Sequence, residues 1–283
     1  LNYKGRGLRL QSVGRLGRGK LTLQYENVQP QFYTSVGSAT SDRERVRARY
    51  GIRLNPKAQM SVGLLYYRNN LEGQLTDSTR AVRPEFSVGF SEVGGRPEAT
   101  LDFSLSHDNR RKGTDRVDDT DVQLNYHDRL GAWDTDWNLG MSRYYTRGTQ
   151  NSTEMTLGTA WYSRVRRGTW VYRPSLTLGG WRSSDSFVSS NDGSYEFGVG
   201  MAAEKPTQGL STSLKTGLRR AMVDRGDSNT RFFADAMLNY RPKAWREFGG
   251  GLFLKAGWND FKYTSNGRNF SEFRLALGFG FEY

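Results

Sequence analysis

Leu275-Ala276-Leu277-Gly278-Phe279-Gly280-Phe281-Glu282-Tyr283 closes the chain. Apolar side chains take every second position, small or charged residues fall between them, and the last residue is aromatic. A period of two is the signature of a strand, because successive side chains leave a pleated backbone on opposite faces. One face of this strand is greasy and the other is small or polar. Such a strand needs a hydrophobic medium on one side and something hydrated or tightly filled on the other.

The same alternation runs back through the chain in about fifteen segments: 3–13, 19–28, 43–54, 58–68, 81–91, 97–107, 117–127, 134–146, 152–163, 168–181, 194–205, 209–221, 230–241, 248–261 and 270–283. Each is near the length that crosses a membrane as a tilted strand. In the third, Val46, Ala48, Tyr50, Ile52 and Leu54 alternate with Arg45, Arg47, Arg49, Gly51 and Arg53. In the sixth, Leu101, Phe103 and Leu105 alternate with Thr100, Asp102, Ser104 and Ser106. Helical spacing fits neither. Short connections such as 55–57 and 205–208 alternate with longer polar ones at 29–42, 69–80, 109–116 and 182–193. This is the pattern of tight turns on one rim and outer loops on the other. Tyr66, Trp133, Tyr144, Tyr145, Trp170 and Trp258 stand near strand ends, where an interfacial girdle belongs.

Composition agrees. The 283 residues have a mean hydropathy of −0.73 and only 36% are hydrophobic, yet 13% are aromatic. A soluble domain of this size carries more apolar residues for its core, and a disordered chain carries fewer aromatics. No apolar stretch approaches the roughly 20 residues of a membrane helix. The chain has no cysteine and begins at Leu1 without a basic and apolar leader, so it reads as a mature chain or a fragment. Its net charge of +12 points to an anionic partner. Nucleic acid is not expected, because the basic residues are spread along alternating strands rather than gathered in a binding module.

The closing strand resembles that of a bacterial outer-membrane β-barrel, in which Phe279, Phe281 and the terminal Tyr283 match the signal read by the barrel-assembly machinery. The resemblance implies an all-β, antiparallel up-and-down transmembrane barrel spanning residues 1–283 as a single domain in the Gram-negative envelope. Its surroundings are then outer-membrane lipid and lipopolysaccharide. Single-chain bacterial barrels have an even strand number. Fifteen crossings therefore suggest a sixteenth upstream of Leu1, and a barrel of about 16 strands keeps an aqueous interior. The chain is similar to porin-like channels. It also looks like the carboxy-terminal barrels of exopolysaccharide export proteins, which implies an amino-terminal periplasmic domain and periplasmic export partners.

Strand parity sorts the charges, since an Arg or Lys mid-strand on the lipid face costs roughly 2–4 kcal/mol. The expected pore-lining cations are Arg45, Arg47, Arg49, Arg53, Arg83, Arg173, Lys215, Arg219, Arg231, Lys255 and Arg274. Strands six to nine contribute Asp102, Asp121, Asp136 and Glu154, read as an acidic wall facing the basic one across the lumen. Guanidinium forks hold carboxylate, sulfate or phosphate at two points, so the Arg45/Arg47/Arg49 ladder is the sharpest signal for an anionic solute. The competing reading is that these charges pair with one another and merely brace the barrel. Inward aromatics (Tyr67, Tyr144, Tyr162, Trp181, Phe233, Phe253) offer stacking platforms for sugar rings.

Catalysis is not expected. His107 and His127 are the only histidines, and as ends of neighbouring antiparallel strands they fall at opposite faces, so no shared acid–base site forms. No cofactor or Cys/His metal site is expected, and a calcium site at Asp185, Asn191 and Asp192 has no motif behind it. The function expected is a channel with a basic lumen for anionic or saccharide solutes, and the resemblance to export barrels implies export of an exopolysaccharide. The alternative is a plugged structural or adhesion barrel that acts through its loops, with 29–42 as the plug candidate.

Overall fold

The computed structural model describes residues 5–30, 42–73, 78–264 and 269–280. The strands are β1 (Gly7–Leu16), β2 (Gly19–Val28), β3 (Arg43–Asn55), β4 (Ala58–Asn69), β5 (Thr79–Ser91), β6 (Thr100–Lys112), β7 (Asp115–Leu130) and β8 (Trp133–Thr146). They continue with β9 (Gln150–Ser163), β10 (Val165–Arg167), β11 (Trp170–Asp185), β12 (Ser190–Lys205), β13 (Leu210–Met222), β14 (Asn229–Tyr240), β15 (Gly251–Tyr263) and β16 (Phe270–Gly280). The only described helical pieces are two 3₁₀ turns, Val93–Gly95 and Lys243–Phe248.

The strands form one sheet in chain order, each beside the next, with β10 off that path and paired antiparallel with β11. β10 continues the line of β9 past Arg164, so sixteen strands make fifteen full crossings. All fifteen segments read from the alternation correspond one for one to the long strands.

Conventional core is scarce. The buried apolar residues described are Val28, Ala58, Ala81, Ala99, Val171, Ala203 and Phe233, most of them small. Large apolar side chains instead lie open on alternate positions. On β16, Phe273, Leu275, Leu277 and Phe279 are 67%, 63%, 78% and 70% exposed. In water each would forfeit roughly 1.5–3 kcal/mol relative to burial. Repeated on strand after strand, this face requires lipid.

The ladders are longer than the alternation suggests, and two expected outer loops are mostly strand. β6 runs on to Lys112 and β7 begins at Asp115, leaving a two-residue turn in which Gly113 has φ +58°. β11 runs on to Asp185 and β12 begins at Ser190. Polar residues there had pointed to loops. Beyond the hydrocarbon both faces of a strand are wetted, so the ladder continues on backbone hydrogen bonds without an apolar face. The plug candidate 29–42 falls largely outside the described residues, as do Phe281 and Tyr283 of the assembly signal.

Contacts group the chain into two units. One comprises Leu1–Tyr126, Gly140–Glu154 and Asp185–Ser189; the other comprises His127–Leu139, Met155–Ser184 and Ser190–Tyr283.

Candidate functional site

In the first unit the polar face of β2–β7 carries the arginine ladder. Arg45, Arg47, Arg49 and Arg53 project from β3 on the face opposite Val46 and Leu54; the first three are two residues apart, roughly 6.6 Å between neighbours, and Gly51 separates Arg49 from Arg53. Opposite Arg47 and Arg49 on β4 stand Leu65 and Gly63, and Gly63 in turn faces Glu85 on β5. Glu85 is the hub of one network. Arg47 Nη2 donates to its Oε2 at 2.9 Å, Arg83 Nε lies 3.6 Å from its Oε1, and Arg83 Nη2 donates to Ser106 Oγ at 3.2 Å.

Arg49 belongs to a different network without a carboxylate. Its Nη2 donates to Ser61 Oγ at 3.1 Å, and Ser61 shares a 2.7 Å hydrogen bond with Ser87. Among the described residues Arg45, Arg49 and Arg53 form no ion pair, and Arg47 and Arg83 keep a buried Nε with no hydrogen-bond acceptor.

Two of the hollows on this face are lined by Arg49. One, of about 350 Å³, is lined by Arg49, Arg83, Glu85, Ser104, Asp121 and Gln123 among others. The second, of about 500 Å³, is lined by Lys20, Arg49, Arg53, Gln59, Asp102 and Asn125 among others. Small residues make the room: a Cβ on Gly89 would lie 2.5 Å from Asp102 Oδ1, and one on Gly63 would lie 3.4 Å from Glu85 Oε2.

Asp102 and Asp121 therefore stand beside the arginines, in the same hollows. The expected separation into facing basic and acidic walls does not hold for them. β6 is the sheet neighbour of β5 and β7 lies one strand further on, so their carboxylates line the same hollows as the cations of β3 and β5. Of the other two acids, Asp136 accepts a 2.7 Å hydrogen bond from His127 Nδ1, and Glu154 is exposed on β9.

In the second unit most of the expected cations are partnered. Arg173 pairs with Glu204, Lys215 Nζ lies 3.7 Å from Glu196, and Arg274 is 3.0 Å from Glu272. Arg231 Nε donates to Asn259 Oδ1 at 2.8 Å, and Asn259 Nδ2 donates onward to Glu272 at 2.8 Å. Arg219 faces Glu196 across one ladder and Arg231 across the next.

The inward phenylalanines are already engaged. Phe233 covers Gly217 and holds Lys215 and Arg231 at 5.5 Å from its centroid; Phe253 covers Gly278 and holds Lys255 at 5.4 Å. Sequence alone had offered these rings as sugar platforms. The structure uses them to fill space left by cross-strand glycines and to hold cations.

His107 lies within β6 rather than at its end, with Nδ1 2.8 Å from Thr120 Oγ1. The two histidines thus engage separate partners. Asp185 accepts the amides of Phe187 and Val188, and Asp192 accepts that of Asp224, so these carboxylates close turns. Among the described residues no three acids or histidines converge on a metal position.

No family model and no curated protein matches the chain. Among solved structures it is similar to the FrpB iron transporter from Neisseria meningitidis (F3-3 variant), with a TM-score of 0.61 and 9% identity, over 98% of this chain and 57% of that one. The chain thus spans little more than half of FrpB, and the likeness is one of fold. The fold is that of the bacterial outer-membrane β-barrels. Also similar are OpdK from Pseudomonas aeruginosa (TM-score 0.39, 12% identity, 96% of this chain and 91% of that) and OmpT of Vibrio cholerae (0.39, 7%, 89% and 90%).

Proposed function

We propose that this barrel is an outer-membrane channel whose polar face selects anionic, hydroxyl-rich solutes. The observation that carries this reading is the unpaired set Arg45, Arg49 and Arg53 on a wall otherwise rich in ion pairs. A brace would have carboxylates on these three; a solute-facing wall leaves guanidinium donors for a passing ligand. Arg47 and Arg83 hold the scaffold through Glu85, and the unpaired cations do the attracting.

The hollows refine the solute class. Arg49 and Arg53 suit a carboxylate, sulfate or phosphate, while Asp102, Asp121, Ser104, Gln59 and Asn125 suit hydroxyls. A sugar acid, or an acidic polysaccharide taken unit by unit, combines both groups. Export of such a polymer with periplasmic partners is one task that this chemistry serves.

The test is the reversal potential of single channels of the refolded protein in a planar bilayer under a salt gradient. Anion selectivity is expected, moving several-fold toward cations in Arg49→Glu/Arg53→Glu with folding intact, together with block by a uronic-acid oligomer. A correctly folded protein that does not conduct would favour the plugged, loop-acting barrel instead.

A further inference from the structure

The apolar face of the first unit carries one row that breaks its own rule. In the ladders Asn27 faces Glu44, Glu44 faces Arg68, Arg68 faces Arg80, and Arg80 faces Arg111, one residue on each of β2 to β6. These positions share parity with Leu64, Val62, Val82 and Leu105, which are 38–49% exposed, so the row lies on the face that meets lipid. The next row along the strands is Tyr25, Val46, Tyr66, Val82 and Asn109, and below it on β3–β5 the rows are apolar down to Ile52, Met60 and Val88.

From Tyr66 to Ala58 the apolar stripe covers eight residue steps, roughly 26 Å along the strand and about 20 Å along the membrane normal at a tilt near 40°. The arginine row therefore sits just past the hydrocarbon, at the height of lipid headgroups, on the rim with the longer connections.

Like charges directly opposite one another in a ladder repel. Glu44 offsets only the first of the three: Arg68 Nε pairs with its Oε2, and Tyr25 Oη donates to its Oε1 at 3.2 Å. Arg80 and Arg111 are exposed and have no acidic partner among the described residues. Adjacent strands are about 4.8 Å apart, so two guanidinium forks can close on the oxygens of one phosphate.

We propose that Arg80 and Arg111, flanked by Arg68, form a clamp for the phosphate of a lipid headgroup in the leaflet at this rim. A phosphomonoester supplies nearly the two negative charges that the row lacks once Glu44 is counted. The clamp anchors the barrel at that rim and stands apart from solute passage, on the opposite face of the same strands.

The measurement is lipid retention by native mass spectrometry of the full chain released from vesicles. One set is phosphatidylcholine alone, a second contains a tenth phosphatidic acid, and a third contains a tenth phosphatidylglycerol. Phosphatidic acid should be retained preferentially. Arg80→Gln/Arg111→Gln should lower retention about tenfold, as expected for loss of a two-point charged contact. Glu44→Gln, which leaves one more cation unpaired, should raise it.

Arg18→Gln/Lys57→Gln, at the short-turn rim, should leave retention unchanged. Equal retention by wild type and the Arg80/Arg111 variant would overturn the proposal. So would equal losses in both double variants, or protection against heat unfolding by inorganic phosphate alone with none from the lipid. Conductance is not read in this experiment, so its outcome is independent of the channel assignment.

Discussion

Glu85 and Asn259 do comparable work in the two units: each holds two neighbours that would otherwise be misplaced. Glu85 ties Arg47 to Arg83 across β3–β5. Glu85→Gln removes the countercharge and leaves both guanidinium groups facing solute. The reversal potential should move further toward anions, and an unchanged potential would place Glu85 outside the conducting path. Asn259 is buried and passes a hydrogen bond from Arg231 to Glu272. Asn259→Leu leaves Arg231 Nε without its acceptor while Glu272 keeps Arg274, with an expected loss of about 1–3 kcal/mol, measured by urea unfolding in vesicles. Arg231 is charged, so the upper end is expected.

At the scale of single strands, lipid and solvent faces are set by parity, and the two parities should respond oppositely to charge. Leu277→Arg on β16 places a guanidinium on the 78%-exposed apolar face. It should destabilise by roughly 2–4 kcal/mol if the position is near the bilayer midplane. Ala276→Arg, one residue earlier and facing the polar side, should change stability by less than about 1 kcal/mol. Equal effects in unfolding titrations would mean that β16 is not a lipid-facing strand. Turns obey a local rule as well. Gly131 has φ +65° between β7 and β8, and Gly131→Val should loosen that hairpin because a β-branched residue resists positive φ.

For the molecule as a whole, the charge surplus acts as a field, and a field is screened. The Debye length falls from about 10 Å at 0.1 M salt to about 3 Å at 1 M. Anion preference generated by Arg45, Arg49 and Arg53 should therefore shrink across that range in bilayer recordings. Preference that persists at 1 M would point to direct, two-point binding in the hollows instead.

The alternation of Leu275 to Tyr283, repeated back to residue 3, was sufficient for the fifteen long strands and their lipid face, while the chain-order meander was implied by the resemblance to outer-membrane barrels. The strands and their faces depend on a period of two, which is a property of neighbours in sequence. Parity likewise placed the Arg45, Arg47, Arg49 and Arg53 ladder on the polar face. Partnership was not legible. That Arg47 is tied to Glu85 while Arg49 meets only hydroxyls depends on the ladder register of β3, β4 and β5. Pairing on through β6 and β7 brings Asp102 and Asp121 into the hollows with the arginines, and the registers of β4 with β5 and β5 with β6 align Arg68, Arg80 and Arg111 in one row. Spacing along one chain carries the face on which a side chain stands. Only the lateral pairing of strands, fixed by hydrogen bonds between residues tens of positions apart, decides which charges meet.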